Sequence, residues 1–386
     1  MTYRRTIVRL LRKIAFILGT LALLLLVFLN LSPQGRTATR TLGLVLQVIP
    51  AVPVKPQEWF TDNPSREKIK YPRSDGTGLA DIYRIQNGSK RAAILLFLGV
   101  NPAGRDDPRV INLGTALAHS GFVVMVPWSE TMANKKVDPD DIDSLVHAFQ
   151  YLSRLEYVDA KRIAMTGFCV GSSMVTVAAQ DPRINDQVAL INHFSGYYDG
   201  RDFLKQIASK SSFYNGAVEP WEPGHLTFNV FINHLIDSLE NPTDREHLSH
   251  AFLEGDNTIQ LSLESLTHQG QAVYHLLSGV TLKEAEDVIS QLPQKFLDDL
   301  DAISPRTNLS NLKARIFIMH DREDDAAPVE ESRRLADALR DHNNVKYTEF
   351  SFFQHVDPTG SLAPVTFIPE ALKLYRHLYG IISLAN

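Results

Sequence analysis

The chain has 386 residues and a formal net charge of −5, so it offers no basic field to a phosphate backbone and nucleic-acid binding is not expected. Its contents of 44% apolar and 22% charged residues are ordinary for a globular protein, which excludes disordered and collagen-like classes. A single cysteine excludes an internal disulfide and a cysteine-rich metal site. No histidines and acids have convincing metal-ligand spacing, so neither a metal nor a cofactor is predicted.

The N-terminal residues have the pattern of a membrane anchor. Residues 1–13 hold five positive charges and no negative one, and no charged residue occurs between Ile14 and Gly35. As a helix, Ile14–Ser32 would reach about 28 Å, close to the thickness of a bilayer core. The preceding basic residues predict a cytoplasmic N-terminus, with the rest of the chain outside a cell membrane that it crosses once. A cleaved signal peptide is the alternative, and the long apolar run without a small-x-small site argues against it.

Residues 33–75 are predicted to be a linker punctuated by prolines, and strands then alternate with helices. This alternation predicts an α/β fold in which 76–200 and 306–386 form a mostly parallel sheet with helices on both faces. Residues 201–305 contain helical patterns and no convincing strand, so they predict a helical cap. Within it, Thr281 and Glu284 form a capping-box pair and Pro293 should end the helix. Strands are predicted at 80–84, 92–98, 122–127, 162–166, 188–192, 314–320 and 345–352.

The single cysteine lies in a sharp turn. Gly167-Phe168-Cys169-Val170-Gly171 places G-x-C-x-G between an apolar strand and a helix of small residues. Side chains at the two glycines would collide with backbone in such a turn, which would hold Cys169 above the sheet at a helix N-terminus. That position favours a thiolate and an oxyanion. A lone cysteine is commonly only a small buried hydrophobe, but the strand–turn–helix context favours a nucleophile.

An acid and then a histidine should follow the nucleophile in the chain. The loop 320–328 follows a late strand and contains four acids. Registering His320 and Pro328 on the pattern H-G-x-x-D-x-x-V-P selects Asp324 as the acid, with Asp325 as the alternative. The base is predicted to be His355, because it comes just after the last strand. His320 is expected to serve loop packing.

These residues predict a Cys-His-Asp triad. His355 would take the thiol proton of Cys169 while Asp324 orients the imidazole ring. Attack on a carbonyl would form a thioester acyl-enzyme, which water hydrolyses. The oxyanion would be bound by the amides of Val170 and Val100.

Three stretches carry a resemblance to a known family: Gly167–Gly171, His320–Pro328 and the turn Leu98-Gly99-Val100-Asn101. On these residues the chain resembles the α/β-hydrolase superfamily, and within it the dienelactone-hydrolase-like branch with a cysteine nucleophile. The resemblance implies the α/β-hydrolase fold and hydrolysis of a small ester or thioester. Dienelactone hydrolases carry a glutamate before the oxyanion loop, whereas Ala93–Val100 contains no acid. The expectation is therefore general acyl hydrolysis by a membrane-anchored enzyme.

Two other functions fit the same motifs. Polyester synthases also use G-x-C-x-G with an Asp and a His on this fold, which makes an acyltransferase the first alternative. They act on cytosolic acyl-CoA, and a domain outside the membrane suits that substrate poorly. A membrane-tethered, non-catalytic binding protein on the hydrolase fold is the second alternative, and the presence of all three triad residue types in order argues against it.

Overall fold

The computed structural model describes residues 2–49, 55–254, 262–351 and 364–386. The predicted α/β class is confirmed, because an eight-stranded, mostly parallel sheet has helices on both faces. The strands are β1 (Ser65–Arg73), β2 (Gly76–Arg84), β3 (Arg91–Phe97), β4 (Val123–Trp128), β5 (Val158–Phe168), β6 (Leu190–Phe194), β7 (Ser211–Tyr214), β8 (Ala217–Pro220), β9 (Arg315–Asp321) and β10 (Val345–Phe350). The helices are α1 (Thr2–Leu31), α2 (Pro33–Val48), α3 (Pro108–His119), α4 (Glu130–Ala133), α5 (Asp140–Ser153), α6 (Val170–Ala178), α7 (Gly200–Ser209), α8 (His225–Ser238), α9 (Pro242–Phe252), α10 (His268–Ser278), α11 (Leu282–Ile289), α12 (Gln294–Ala302), α13 (Val329–Ala338) and α14 (Pro364–Ile382).

The strand order in the main sheet is β1-β2-β4-β3-β5-β6-β9-β10. β1 pairs with β2 and β2 with β4 in antiparallel register, and every later neighbour is parallel. The central strands are buried on both faces, as the unbroken apolar run of β3 predicts. The carboxyl ends of β3, β5, β6 and β9 therefore meet at one edge, where the predicted nucleophile and acid follow their strands.

Each face of the sheet has its own helices and its own apolar core. Helices α2, α3 and α14 cover one face, with Ile94, Leu96 and Leu117 in a common buried cluster. Helices α5, α6 and α13 lie on the other face, where the buried cluster includes Leu145 and Met174 and runs on into the cap. The cap is thus packed as a continuation of one core layer.

The predicted linker over 33–75 is wrong, because most of it has regular structure. Ser32 accepts a hydrogen bond from the amide of Gly35 (2.9 Å), and Pro33 occupies the first turn, so a helix begins where irregular chain was expected. Leu44 and Val45 of this helix, α2, are buried against the sheet and its neighbours. Residues 65–73 form the edge strand β1, and residues 50–54 lie outside the described part.

The cap is mainly helical but not wholly so, which corrects the prediction. A short hairpin joins β7 to β8 through Asn215 and Gly216, both with positive φ (50° and 82°), the geometry that Asn-Gly turns favour. The capping box of Thr281 and Glu284 is confirmed at the start of α11. Pro293 separates α11 from α12.

The predicted anchor over 14–32 falls in α1, apart from Ser32, which caps the next helix. Among the helices of the described residues, none meets both the length and the apolarity that crossing a bilayer requires.

Candidate active site

Cys169 has a backbone conformation that few residues other than glycine adopt. It connects the end of β5 to the start of α6 with φ 54° and ψ −140°. Such a conformation costs on the order of 1–3 kcal/mol and persists only where the surroundings impose it. Here the Cys169 amide donates to the carbonyl oxygen of Phe194 on β6 (3.0 Å), which ties the turn to the sheet. The side chain is half-buried, so the predicted elbow geometry is present and the thiol remains accessible.

Three glycines make this turn possible by allowing backbone segments to touch. A Cβ on Gly167 would lie 2.5 Å from the carbonyl oxygen of Gly171, and one on Gly171 would lie 2.4 Å from the amide nitrogen of Gly99. Gly99 has φ +72°, and its Cβ would lie 2.8 Å from the carbonyl oxygen of Phe168. The loop after β3 is therefore pressed directly against the elbow.

Both predicted oxyanion-hole residues border the same cavity as Cys169. Val170 is the first residue of α6, so its amide has no acceptor within the helix. Val100 follows Gly99 on the loop that touches the elbow. The N-terminus of α6 carries partial positive charge, which favours an anion beside the thiol. The arrangement can stabilise negative charge that develops on a bound carbonyl oxygen.

Asp324 is the buried member of the predicted acidic pair. The residue is only 2% exposed, and its Oδ1 accepts hydrogen bonds from the backbone amides of Ala326 (2.7 Å) and Ala327 (3.3 Å). Asp325, by contrast, is exposed. A carboxylate that is buried and fixed by two amides is suited to orienting a histidine, so the geometry favours Asp324 over Asp325.

His320 lies beneath this loop and holds its shape. Its Nε2–H donates to the carbonyl oxygen of Ala327 (2.9 Å), and its Nδ1 accepts from the hydroxyl of Ser332 (2.7 Å). Asp324 Oδ2 is 3.7 Å from His320 Nε2. These contacts agree with the expected packing role of His320.

His355, the predicted base, lies outside the described residues, so its role stays a prediction. Cys169 and the acid loop nevertheless border one cavity, which the loop contacts through Asp325 and Ala326. The described strand β10, which is parallel to β9, ends at Phe350 at the same edge of the sheet as β5 and β9.

The cap is hydrogen-bonded to the acid loop, which sequence patterns did not indicate. The indole Nε1–H of Trp221 donates to the carbonyl oxygen of Asp324 (2.9 Å), and the amide of Gly224 donates to that of Asp325 (2.6 Å). The hydroxyl of Thr227 donates to the carbonyl oxygen of Ala326 (3.0 Å). All three bonds use backbone acceptors, so no side-chain type in the loop signals them.

Buried polar groups also lie beneath the elbow. His193 on β6 is fully buried, and its Nδ1 is 3.0 Å from the hydroxyl oxygen of Thr176 on α6. Burial lowers the pKa of His193 to about 3, so the imidazole is neutral. The hydroxyl of Ser173 donates to the carbonyl oxygen of Tyr197 (2.7 Å). These contacts fix α6 against the sheet and the cap.

A cavity of about 580 Å³ is lined by Cys169, Val100, Val170 and Asp325, whereas the buried Asp324 does not line it. It has two parts that meet at Cys169. The outer limb lies under the cap and is lined by Tyr197, Phe203, Phe231 and Ile303. The inner limb continues on the other face of the sheet and is bounded by α2 (Leu44, Val48), α3 (Leu113, Leu117) and α14 (Leu374, Leu378).

Comparison with known proteins finds distant structural similarity to solved structures. No protein-family model and no curated protein matches the chain. An acylaminoacyl peptidase of Pyrococcus horikoshii is 15% identical with a TM-score of 0.47, covering 82% of this chain and 40% of the peptidase. An esterase of Pyrobaculum calidifontis is 14% identical with a TM-score of 0.49, covering 92% of this chain and 95% of the esterase. A 2,6-dihydroxy-pseudo-oxynicotine hydrolase is 13% identical with a TM-score of 0.47, covering 82% and 68%. This chain spans about two fifths of the length of the peptidase.

Replacing Gly99 by alanine should destabilise the fold far more than the same change at Gly104. Both glycines have a left-handed φ (+72° and +74°), so each alanine incurs about 1–2 kcal/mol of backbone strain. Gly104 has no neighbour within 4 Å of an added Cβ, whereas Gly99 meets the elbow backbone. Gly99→Ala should therefore lose about 1–3 kcal/mol more unfolding free energy. Urea denaturation of the two variants measures the difference, and equal losses would show that the contact with the elbow is unimportant.

Proposed function

We propose that this protein is a hydrolase that cleaves an ester or thioester through an acyl-enzyme on Cys169. The observation that carries this proposal is the conformation of Cys169 at the start of α6. Its positive φ presents the thiol to a largely apolar cavity beside an unpaired helix N-terminus. An incidental core cysteine would not need a strained backbone held by three glycines.

The proposed reaction follows from the positions of the groups. His355 takes the proton of the Cys169 thiol, and the sulfur attacks the substrate carbonyl. The Val170 and Val100 amides bind the resulting oxyanion. The alcohol or thiol then leaves with the proton from His355, and a thioester remains on Cys169. Water, activated by His355, cleaves that thioester and regenerates the enzyme. Asp324 orients the histidine throughout.

The substrate is proposed to be a general acyl ester or thioester rather than a dienelactone. In dienelactone hydrolases an acid precedes the oxyanion loop, and here the corresponding residues of β3 are apolar and buried. Without that acid, activation of the thiol depends on His355 and on the partial positive charge at the N-terminus of α6.

Incubation with p-nitrophenyl acetate should give both turnover and an acetyl adduct on Cys169, and Cys169→Ala should abolish both. Loss of the nucleophile in a triad costs on the order of 10⁶-fold in rate, so no residual catalysis should be measurable. Intact mass spectrometry measures the adduct, and a matched assay follows release of nitrophenol. Because the chain has one cysteine, an adduct that Cys169→Ala removes is assigned to that thiol.

The outcomes separate the alternative functions. An adduct that accumulates without turnover would indicate an acyltransferase that lacks its acceptor. No adduct, together with thiol alkylation no faster than for a free cysteine, would favour a non-catalytic binding protein. Either result would overturn the proposed hydrolysis.

Asp324→Asn should lower kcat/KM by about 10³–10⁴-fold, because an amide in place of the carboxylate stabilises the wrong histidine tautomer. Asp325→Asn is the matched control on the adjacent, exposed residue and should change kcat/KM by less than roughly threefold, since exposed substitutions are near neutral. Steady-state kinetics of the two variants, with thermal melts to check folding, measure the contrast. A larger loss of kcat/KM in Asp325→Asn than in Asp324→Asn would assign the role of the acid to Asp325.

Attachment to a membrane through Ile14–Ser32 is a further part of the proposal, with the N-terminus cytoplasmic and the catalytic part outside. Supporting it, ten large apolar side chains of this segment are 44–76% exposed: Ile14, Phe16, Ile17, Leu18, Leu21, Leu24, Leu25, Val27, Phe28 and Leu31. Such a surface would be unfavourable in water.

The double substitution Leu21→Asp/Leu25→Asp should release the protein from the membrane fraction. Each aspartate is expected to oppose insertion by about 2.5–3.5 kcal/mol. The control Leu42→Asp/Val218→Asp changes two residues of similar exposure elsewhere (52% and 55%) and should leave the distribution unchanged. Carbonate extraction followed by sedimentation measures the distribution. Equal release of both variants, or of the unmodified chain, would contradict attachment through α1.

A further inference from the structure

The inner limb has no part in the proposed chemistry, yet it belongs to the same cavity that Cys169 borders. Its floor is formed by alternate residues of two central strands, Ile94 and Leu96 on β3 and Ala164, Thr166 and Phe168 on β5. Alternate residues share one face of a sheet, so this limb lies on the face covered by α2, α3 and α14. A bound molecule could therefore reach from the thiol to beneath these helices.

The length of the limb can be read from β5. Phe168 directly precedes Cys169, and the cavity still contacts Ala164, four residues earlier along the strand. Because Thr166 is 8% exposed and Ala164 only 1%, the accessible part of the floor ends near Thr166, which at about 3.3 Å per residue lies roughly 7 Å along β5 from Phe168. The side chain of Thr166 leaves this space accessible, whereas Ile94 and Leu96 on the neighbouring strand β3 are almost fully buried.

Polar groups on the floor are already hydrogen-bonded to each other. The hydroxyl of Thr166 donates to the backbone carbonyl oxygen of Asn192 (3.3 Å) and accepts from the side-chain Nδ2 of Asn192 (3.1 Å). Asn192 Oδ1 accepts from the Nε2–H of His377 (2.9 Å), whose Nδ1 is 3.0 Å from Thr348 Oγ1. These polar side chains therefore form hydrogen bonds with one another, and the surface that faces a ligand is mainly aliphatic.

Charged side chains in contact with this limb lie at its rim. Asp107 and Arg109 stand at the N-terminus of α3 and pair with each other (2.8 Å), with Arg109 largely exposed. The other described lining residues on the three helices are leucine, valine and isoleucine, apart from Asn112, whose side-chain oxygen accepts hydrogen bonds from Gln47 (3.2 Å) and Lys55 (3.2 Å). A flexible apolar chain fits such a site, and a polar or charged group does not.

We propose that the inner limb holds the acyl chain of the substrate, so that the enzyme acts on medium-chain or longer fatty acyl esters or thioesters. This inference rests on the proposed function, because it assigns the chain to the acyl group that Cys169 receives. The carbonyl carbon then lies at Cys169, the chain runs below it along β5, and the leaving group occupies the outer limb under the cap.

The test compares p-nitrophenyl acetate, butyrate and octanoate on the full chain in lipid nanodiscs, where no detergent tail competes for the cavity. Each buried methylene should raise kcat/KM roughly fourfold, so octanoate should exceed butyrate by about 10²-fold. Leu113→Trp should fill the limb and remove this gain, so that kcat/KM falls much more for octanoate than for acetate. Ile111→Trp is the matched control, because it is half-buried on the same helix but does not line the cavity.

Two results would overturn the inference. The first is that kcat/KM does not depend on acyl chain length, or that Leu113→Trp and Ile111→Trp reduce this dependence equally. The other is a preference for octyl over butyl acetate without a preference for octanoate, which would put the chain on the leaving-group side. If Leu113→Trp does not fold, Val48→Trp narrows the limb from α2 instead.

A second readout is independent of catalysis. Octanoate should slow alkylation of Cys169 by iodoacetamide, and Leu113→Trp should abolish this protection while Ile111→Trp keeps it. Protection without ester turnover would support the acyl-chain site and overturn the proposed hydrolysis. Turnover of acetate without protection or chain-length preference would support hydrolysis and overturn the acyl-chain site.

Discussion

The left-handed backbone at Cys169 is the constraint on which the site depends. It requires that Gly167, Gly171 and Gly99 carry no Cβ, because each added carbon would lie within 3 Å of backbone. The same contacts bring the loop after β3 against the first turn of α6. The thiol, the free amide of Val170 and the amide of Val100 thus come together because one turn is tight. Its strain is retained because the hydrogen bond from Cys169 to β6 and the packing of α6 hold it.

The acid loop is held from two sides. His320 and the amides that follow Asp324 fix it from the core, and Trp221 and Thr227 fix it from the cap. Asp324 is thereby desolvated while Asp325 faces solvent. Because the cap shares a core cluster with α6 and α13, a movement of the cap would be transmitted to the acid. The geometry of the acid and the folding of the cap are therefore coupled.

Sequence patterns predicted the elements whose signals are local. The apolar strands and the G-x-C-x-G turn have strong patterns: the turn lies where the pattern predicts it, and β5 contains the predicted strand 162–166 but extends over Val158–Phe168. The helix α2 was missed although Ser32 and Pro33 mark its start, because prolines further along suggested irregular chain. The hairpin β7–β8 is too short for a periodic pattern. The preference for Asp324 over Asp325 depends on burial, which adjacent acids in a sequence do not reveal. His355 lies outside the described residues, and the sequence alone supports it.

The inner limb shows why α2 matters to the site rather than only to the fold. Buried side chains of α2 pack beside α3 and α14, and residues of all three helices border the cavity near Thr166. Apolar space that no side chain fills lacks dispersion contacts and lowers stability. In the proposed acyl-chain site, a bound chain would supply these contacts and stabilise the folded protein. The proposal would thus account for threonine rather than a larger apolar residue at position 166 of β5.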